Sequence, residues 1–200
     1  VLFRSDRITV GAASRLAGAP LSEHPRIHCW REAYRAFGAK PKDYPSSIEN
    51  LLRRALKGEP LRSINALVDL YNVVSLTCLL PAGGEDLDAV SGDILLTRAS
   101  SSELPVKLLG ENEERAPKPG EVIYKDDRGA ICRRWNWKEA DRTKLTETTR
   151  NAVLVLEAIP PILGSELEEA ARELERSVLE RCGGESRVEV LNRQRSETAI

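Results

Sequence analysis

The chain has 200 residues, 41% apolar and 30% charged, with a formal net charge of −1. That length gives one domain with a real core, and the near-neutral charge excludes a protein that holds nucleic acid by unspecific phosphate attraction. No run of about 18 apolar residues and no charged-then-apolar leader pattern is present, so no membrane partner is expected. Aromatics are only 4% of the chain, so Leu, Val, Ile and Ala must fill the core. Cys29, Cys78, Cys132 and Cys182 show no Cys-x-x-Cys spacing, so neither a zinc site nor a redox dithiol is suggested. Scattered free thiols fit a reducing cytoplasm. No metal and no cofactor is expected.

The chain contains no methionine and opens Val1-Leu2-Phe3-Arg4-Ser5, a string that a common sequencing-adapter oligonucleotide encodes on translation. The expectation is that Val1–Ser5 is an artefact, and that residues 1–24 form a truncated or artefactual N-terminal segment. Ile8 to Leu21 is weakly patterned, a strand or a loop. From Pro25 the pattern is helical: Ile27, Trp30, Ala33 or Tyr34, and Phe37 recur at helical spacing, predicting a helix over 25–37 that stops at Gly38. His24 and His28 are four apart, but no third metal ligand matches them, and they read as surface or packing histidines. Lys40 to Pro45 is a loop. Ser46-Ser47-Ile48-Glu49 is a capping box that opens a helix over 46–57, with Gly58 as its stop. Arg53, Arg54 and Lys57 gather at its C-terminal end, where they complement the helix dipole.

The stretch Arg62 to Leu87 organises the rest. A helix over 63–79 carries Ile64, Leu67, Leu70 and Val74 on an apolar stripe and Asn65, Asp69 and Asn72 on another face. Pro81 stops it, and Ala82-Gly83-Gly84-Glu85-Asp86 reads as a loop whose paired glycines let backbone N–H groups face a ligand. The plain alternative is a helix whose amides cap neighbours, followed by an ordinary turn. Gly92 to Ala99 reads as a strand, Ser100 to Glu103 as a turn, Pro105 to Leu109 as a short strand and Gly110 to Pro119 as an acidic, mobile loop. Glu121–Tyr124 and Ala130–Trp135 form a hairpin around Lys125–Gly129, with Gly129 at positive φ. Trp135-Asn136-Trp137, with Arg133 beside it, puts two indoles on one side of an extended segment, able to stack a base or an aromatic side chain, or to pack in the core. Asn151 to Ala158 favours a buried strand by its length and β-branching, with a helix as the alternative. Leu163 to Cys182 is an amphipathic helix with a charged, solvated face, and Val188–Leu191 is a possible last strand.

Two runs carry a family resemblance. Ile64, Asn65, Val68, Asp69, Asn72, Pro81 and Asp86 form one, and Asp141-Arg-Thr-Lys-Leu-Thr-Glu-Thr-Thr-Arg-Asn151 forms the other. In their order and separation they resemble the tRNA-editing domain of the phenylalanyl-tRNA synthetase β subunit, over roughly residues 25–160. Nothing resembles the synthetase's catalytic core or its anticodon-binding part, so the chain is most similar to freestanding relatives of the editing domain. The resemblance implies a single α+β domain of layered sheets (β/β/α) with flanking helices and sheets over 92–158. Residues 25–160 would be the editing-like, tRNA-binding domain, with 161–200 a C-terminal amphipathic helix and tail packed on it.

The implied activity is trans-acting hydrolysis of the aminoacyl ester of a mischarged tRNA, without DNA as a partner. Gly83 stands where the synthetase-borne members carry a histidine, and Tyr71 where they carry a threonine. Asp141 aligns best with their Gly-Gly-Glu acid. The resemblance then implies catalytic roles for Asp141, Gly83 and Gly84: the glycine N–H groups receive the oxyanion, and Asp141 binds the α-ammonium or orients water. Substrate contacts fall to Asn65, Asp69, Tyr71, Asn72, Glu85, Trp135, Trp137, Arg142 and Thr143. The Arg53–Lys57 cluster becomes a contact for tRNA phosphates. The alternatives are a non-catalytic module that binds tRNA or aminoacyl-adenosine, and a protein-interaction domain of the translation machinery that uses the acidic C-terminal helix.

Overall fold

In the computed structural model, which describes residues 16, 18, 20–59 and 62–200, each helix starts where its capping chemistry places it. The expectations for Val1–Ser5, and for most of Ile8 to Leu21, lie outside the described residues. Helix α1 (Pro25–Ala36) has proline in its first turn, where a missing N–H costs nothing, and buries Ile27, Trp30 and Tyr34. Helix α2 (Ser47–Leu56) is capped by Ser46 Oγ, which accepts the Glu49 N–H at 3.4 Å. The capping box is only half made. The Glu49 carboxylate is buried and pairs with Arg31 and Arg53 instead of reaching back.

Helix α3 (Ala66–Cys78) begins three residues later than the periodicity suggests, because Asn65 Oδ1 accepts the Val68 N–H at 3.0 Å and ends the extended chain there. Ile64 therefore falls outside the apolar stripe and is 62% exposed. Leu79, at φ 56°, closes the helix with its N–H on Ser75 O. Helix α4 (Gly164–Cys182) runs as the pattern predicts and ends at Gly183.

Among the described residues eight strands, all paired antiparallel, form three sheets. The largest has the order β2-β5-β6-β7, from Leu95–Arg98, Val122–Asp126, Gly129–Arg133 and Lys138–Glu139. Its central hairpin turns at Gly129, φ 121°, as the sequence suggests. Strands β1 (Ala82–Asp86) and β8 (Ala152–Leu156) pair with each other. Strands β3 (Val106–Lys107) and β4 (Glu114–Arg115) form the third pair, so the acidic loop after Gly110 contains a short strand. The architecture is a single α+β domain.

Three expectations are corrected. Ala82–Asp86 is a strand, because the bare glycines let it lie flat against the apolar β8. Residues 134–137 turn instead of extending, with Arg134 at φ 49° and Trp135 at φ 66°. Val188–Leu191 finds no strand to pair with among the described residues, and both named residues are exposed.

The core has three parts. Val68, Tyr71 and Val74 of α3 pack with Leu145, Ala170 and Leu174, which draws α4 against the β1–β8 pair. Leu76, farther round α3, packs with Ile27, Ile48 and Leu52 of α1 and α2. Ala99, Val106, Leu108, Ile123, Ala130 and Ala140 fill the inner face of the large sheet. Helix α3 is thus wedged between helices and sheet, and the chain leaving it at Pro81 passes straight into β1. Among the described residues no helix is long and apolar enough to cross a membrane.

Candidate functional site

Strand β1 has two different edges. On one, the Glu157 N–H reaches Pro81 O and the Leu87 N–H reaches Asn151 O. These two bonds set the phase of the ladder and turn the Gly83 N–H, opposite Val155, toward β8. On the other edge, β1 meets residues 139–144. The Asp86 N–H donates to Thr143 O at 2.8 Å, Glu85 forms a bridge with Lys144, and the Gly84 N–H donates to Glu139 Oε1 at 3.0 Å.

That last contact explains the paired glycines. A Cβ on Gly83 would stand 2.7 Å from Glu139 Oε1. A Cβ on Gly84 would stand 2.6 Å from Leu154 Cδ2 and 3.0 Å from Val153 O. Gly83 makes room for a carboxylate and Gly84 for the neighbouring strand. The N–H groups are already committed, so the expected glycine oxyanion hole is not what they form.

Around Glu139 the chain gathers further polar groups. Glu85, from β1, is 6% exposed, and Thr143 is fully buried. Glu85 Oε2 and Thr143 Oγ1 have no hydrogen-bond partner, which is unusual for buried polar atoms. The hydroxyl lies close enough to oppose Glu85's shift without meeting hydrogen-bond geometry. Burial is the largest cause raising the proton affinity of Glu85, and the charge of Glu139 adds to it. Burial also raises Glu139, part-exposed to solvent yet ringed by protein, against the Gly84 N–H that stabilises its anion. Cys132 sits opposite Glu139 in the ladder, and burial and these carboxylates push its thiol up. Tyr71, facing the pair from α3, is raised by burial first and by Glu139 and Glu85 next. Glu85 and Glu139 thus form a coupled carboxyl pair, both held above the usual carboxylate range.

A further carboxylate, half-buried, lies beyond the end of β8. Glu157, just past β8, accepts from Tyr124 Oη at 2.6 Å, Trp135 Nε1 at 2.5 Å and Asn136 Nδ2 at 2.5 Å. Burial raises its pKa, and these three donors oppose the rise. Asn136 Oδ1 in turn accepts from Tyr34 Oη at 2.9 Å, and Asn136 O accepts the Ser47 N–H. The left-handed turn at Trp135 aims its indole at Glu157 and edge-on at Trp30, 5.0 Å away.

Trp137 points elsewhere, to Tyr44 at 4.9 Å and to the Arg134 guanidinium. The two indoles therefore serve two different packing sites and share no stacking face. Arg133 makes a buried two-bond pair with Glu121, both bonds at 2.8 Å.

The remaining expected site residues divide cleanly. Asn65, besides capping α3, donates to Leu145 O at 3.0 Å and ties the helix to the segment after Thr143. Asp69 accepts from Ser63 Oγ and from the Ile64 N–H. Asn72 is half-buried on α3. Arg142 clamps Asp126 with both guanidinium nitrogens. Asp141 pairs with Lys144 at 2.7 Å, its side chain 36% exposed, and the hydrogen bond and charge of that lysine, with the charge of Lys107, hold its carboxyl below the usual range. The structure thus brings Tyr71, Gly83, Gly84, Glu85 and Thr143 together around Glu139. Asp69, Trp135, Trp137, Asp141 and Arg142 are engaged with other partners. Glu139 and Glu157 are the residues that sequence reasoning missed. Two acids two residues apart share one face of a strand, so the sequence could not choose Glu139 over Asp141.

Among the described residues no group of three or more His, Cys, Asp or Glu is placed to hold a metal ion. His28 lies beside Glu32 at 3.6 Å on the surface.

The model of the B3/4 domain family matches residues 29–182. The chain is also 40% identical over 76 residues to a phenylalanine–tRNA ligase beta subunit of Leifsonia xyli subsp. xyli (strain CTCB07), covering 38% of this chain and 9% of that protein. It is 32% identical over 129 residues to the beta subunit of Psychrobacter arcticus (strain DSM 17307 / VKM B-2377 / 273-4), covering 60% of this chain and 16% of that protein. The matches therefore span only a small part of the length of these relatives.

Proposed function

The chain belongs to the B3/4 domain family, and from that premise we propose that it binds aminoacyl-tRNA and, acting in trans, hydrolyses the ester of a mischarged one. Its likeness to two phenylalanine–tRNA ligase beta subunits supports the tRNA-related part of this reading. The observation that carries the chemical part is the Glu139 carboxyl held over Gly83–Gly84, with Glu85 and Thr143 behind it.

An aminoacyl ester is already activated, so the protein needs mainly to position water and support the charge that develops on the carbonyl oxygen. Glu139, with its proton affinity raised, accepts a proton from the attacking water at neutral pH. The water oxygen bonds to the carbonyl carbon, the bond to the ribose oxygen breaks, and the proton passes to that oxygen. The neighbouring ribose hydroxyl assists this transfer. Glu85 acts on Glu139 from behind as a positioning residue, since two facing carboxyls ionise less readily than one.

A second reading, binding without hydrolysis, is favoured by one observation: the Gly84 N–H that would face an oxyanion is donated to Glu139. A panel of mischarged tRNAs incubated with the purified chain separates the two. Release of amino acid above the spontaneous rate supports hydrolysis. Saturable binding with no release supports the second reading, and neither outcome leaves the tRNA assignment without support.

A further inference from the structure

Away from the carboxyl pair, α1, α2 and the turn at Leu21–Glu23 border an open groove of about 360 Å³ lined by Leu21, Ser22, Arg31, Glu49, Arg53 and Lys57. Glu49 forms its floor and is 2% exposed. It accepts from Arg31 Nη1 at 2.6 Å and from Arg53 Nη2 at 2.8 Å. One carboxylate cannot neutralise two guanidiniums, and Lys57 adds a third cation at the rim, 72% exposed. The lysine's neighbour Glu59 is 4.0 Å away, a contact that solvent weakens. Arg53 also reaches Pro41 O and Lys42 O, so its side chain is held in place before any ligand arrives.

The groove is thus a built, net-positive site in a chain whose formal charge is −1. The acid is collected elsewhere: α4 alone carries six glutamates against three arginines. Pre-set guanidiniums in a concave, positive setting suit phosphate oxygens, which they meet with paired donors.

Its position gives the phosphate a source. Helix α2 starts at Ser47, whose N–H is bonded to Asn136 O, three residues before Glu139. At about 1.5 Å per residue, Arg53 lies about 9 Å and Lys57 about 15 Å further along the helix. A strand running along α2 from that contact therefore meets both cations. We infer that the groove between α1 and α2 binds the phosphodiester backbone of the RNA strand whose aminoacylated end reaches Glu139. This rests on the proposed function for the identity of the strand.

The test uses the whole chain, labelled uncharged tRNA, and the variants Arg53→Gln, Lys57→Ala and the double variant. Arg31 remains on Glu49 in all of them, and thermal midpoints check that the fold is retained. Binding is followed by fluorescence anisotropy between 50 and 200 mM salt. Hydrolysis of an aminoacyl-adenosine ester, too short to reach the groove, is measured alongside. The double variant should bind tRNA about tenfold more weakly, with the slope of log affinity against log salt reduced by about one for each cation removed. Its hydrolysis of the short ester should be unchanged. An unaltered affinity and slope would overturn the inference, as would lost binding to anionic phospholipid vesicles with tRNA binding intact. Groove-dependent tRNA binding without ester hydrolysis would keep the groove and remove the hydrolase reading. Ester hydrolysis without salt-dependent tRNA binding would do the reverse.

Discussion

Glu139 Oε1 accepts the Gly84 N–H at 3.0 Å, which fixes one carboxyl group of β7 against the backbone of β1. The two glycines beside it should respond differently to alanine. In Gly83→Ala the new Cβ meets the end of the Glu139 side chain, which can move aside. Deacylation should fall at least tenfold with a midpoint loss of a few degrees at most. In Gly84→Ala the Cβ meets Leu154, Leu145 and the Val153 carbonyl, which cannot yield together. Overpacking of that kind costs about 1–3 kcal/mol, and urea denaturation should show it. Equal destabilisation by both substitutions would contradict this division.

The carboxyl pair makes stability depend on pH. In the unfolded chain Glu85 and Glu139 both return to about 4.5, whereas the fold raises them, Glu139 to about 7 and Glu85 to about 9. The folded protein then keeps protons that the unfolded chain has released. The contribution is fully present below the unfolded value and is lost as pH rises through the folded ones. The thermal midpoint should decline between pH 5 and pH 9. Glu85→Gln cannot ionise and removes one of the two titrating groups, so its decline should be smaller. A parent midpoint that is flat across this range would count against the buried pair.

Glu157 holds three donors, one from β5 and two from the turn at residues 134–137. Glu157→Ala strands all of them at about 1–3 kcal/mol each, so a loss of about 3 kcal/mol or more is expected in urea denaturation. Tyr124→Phe removes one donor and leaves the carboxylate two, and should cost about 1 kcal/mol. If the two variants proved equally stable, Glu157 would not be the anchor of the turn at residues 134–137.

How legible all this was in the sequence follows from which physical signals are local. Ser46 and Asn65 cap their helices by contacts three residues away, so the helices could be read with errors of a few residues at their ends. Gly83 and Gly84 carry no side-chain pattern, so strand and loop look the same there. What makes them a strand is Ala152–Leu156, about 70 residues on. Trp135 and Trp137 alternate as in a strand, but positive φ at Arg134 and Trp135 comes from the tertiary pull of Glu157 and Trp30. The two runs that carry the resemblance point to the region where residues 82–86 meet 139–144. Which acid faces inward was not, because Lys144 captures Asp141 and Gly84 captures Glu139.

The measurement that tests the central claim most directly is the single-turnover rate on a mischarged tRNA for the parent chain, Glu139→Gln and Asp141→Ala. Asp141 sits in an exposed pair with Lys144, so its loss should leave the rate within about twofold of the parent. Glu139→Gln keeps the shape of the side chain and removes its basic oxygen. The general-base role assigned to it corresponds to a loss of about 10²-fold or more. An unchanged rate in Glu139→Gln, or a comparable collapse in Asp141→Ala, would contradict the assignment of Glu139 as the residue that activates water.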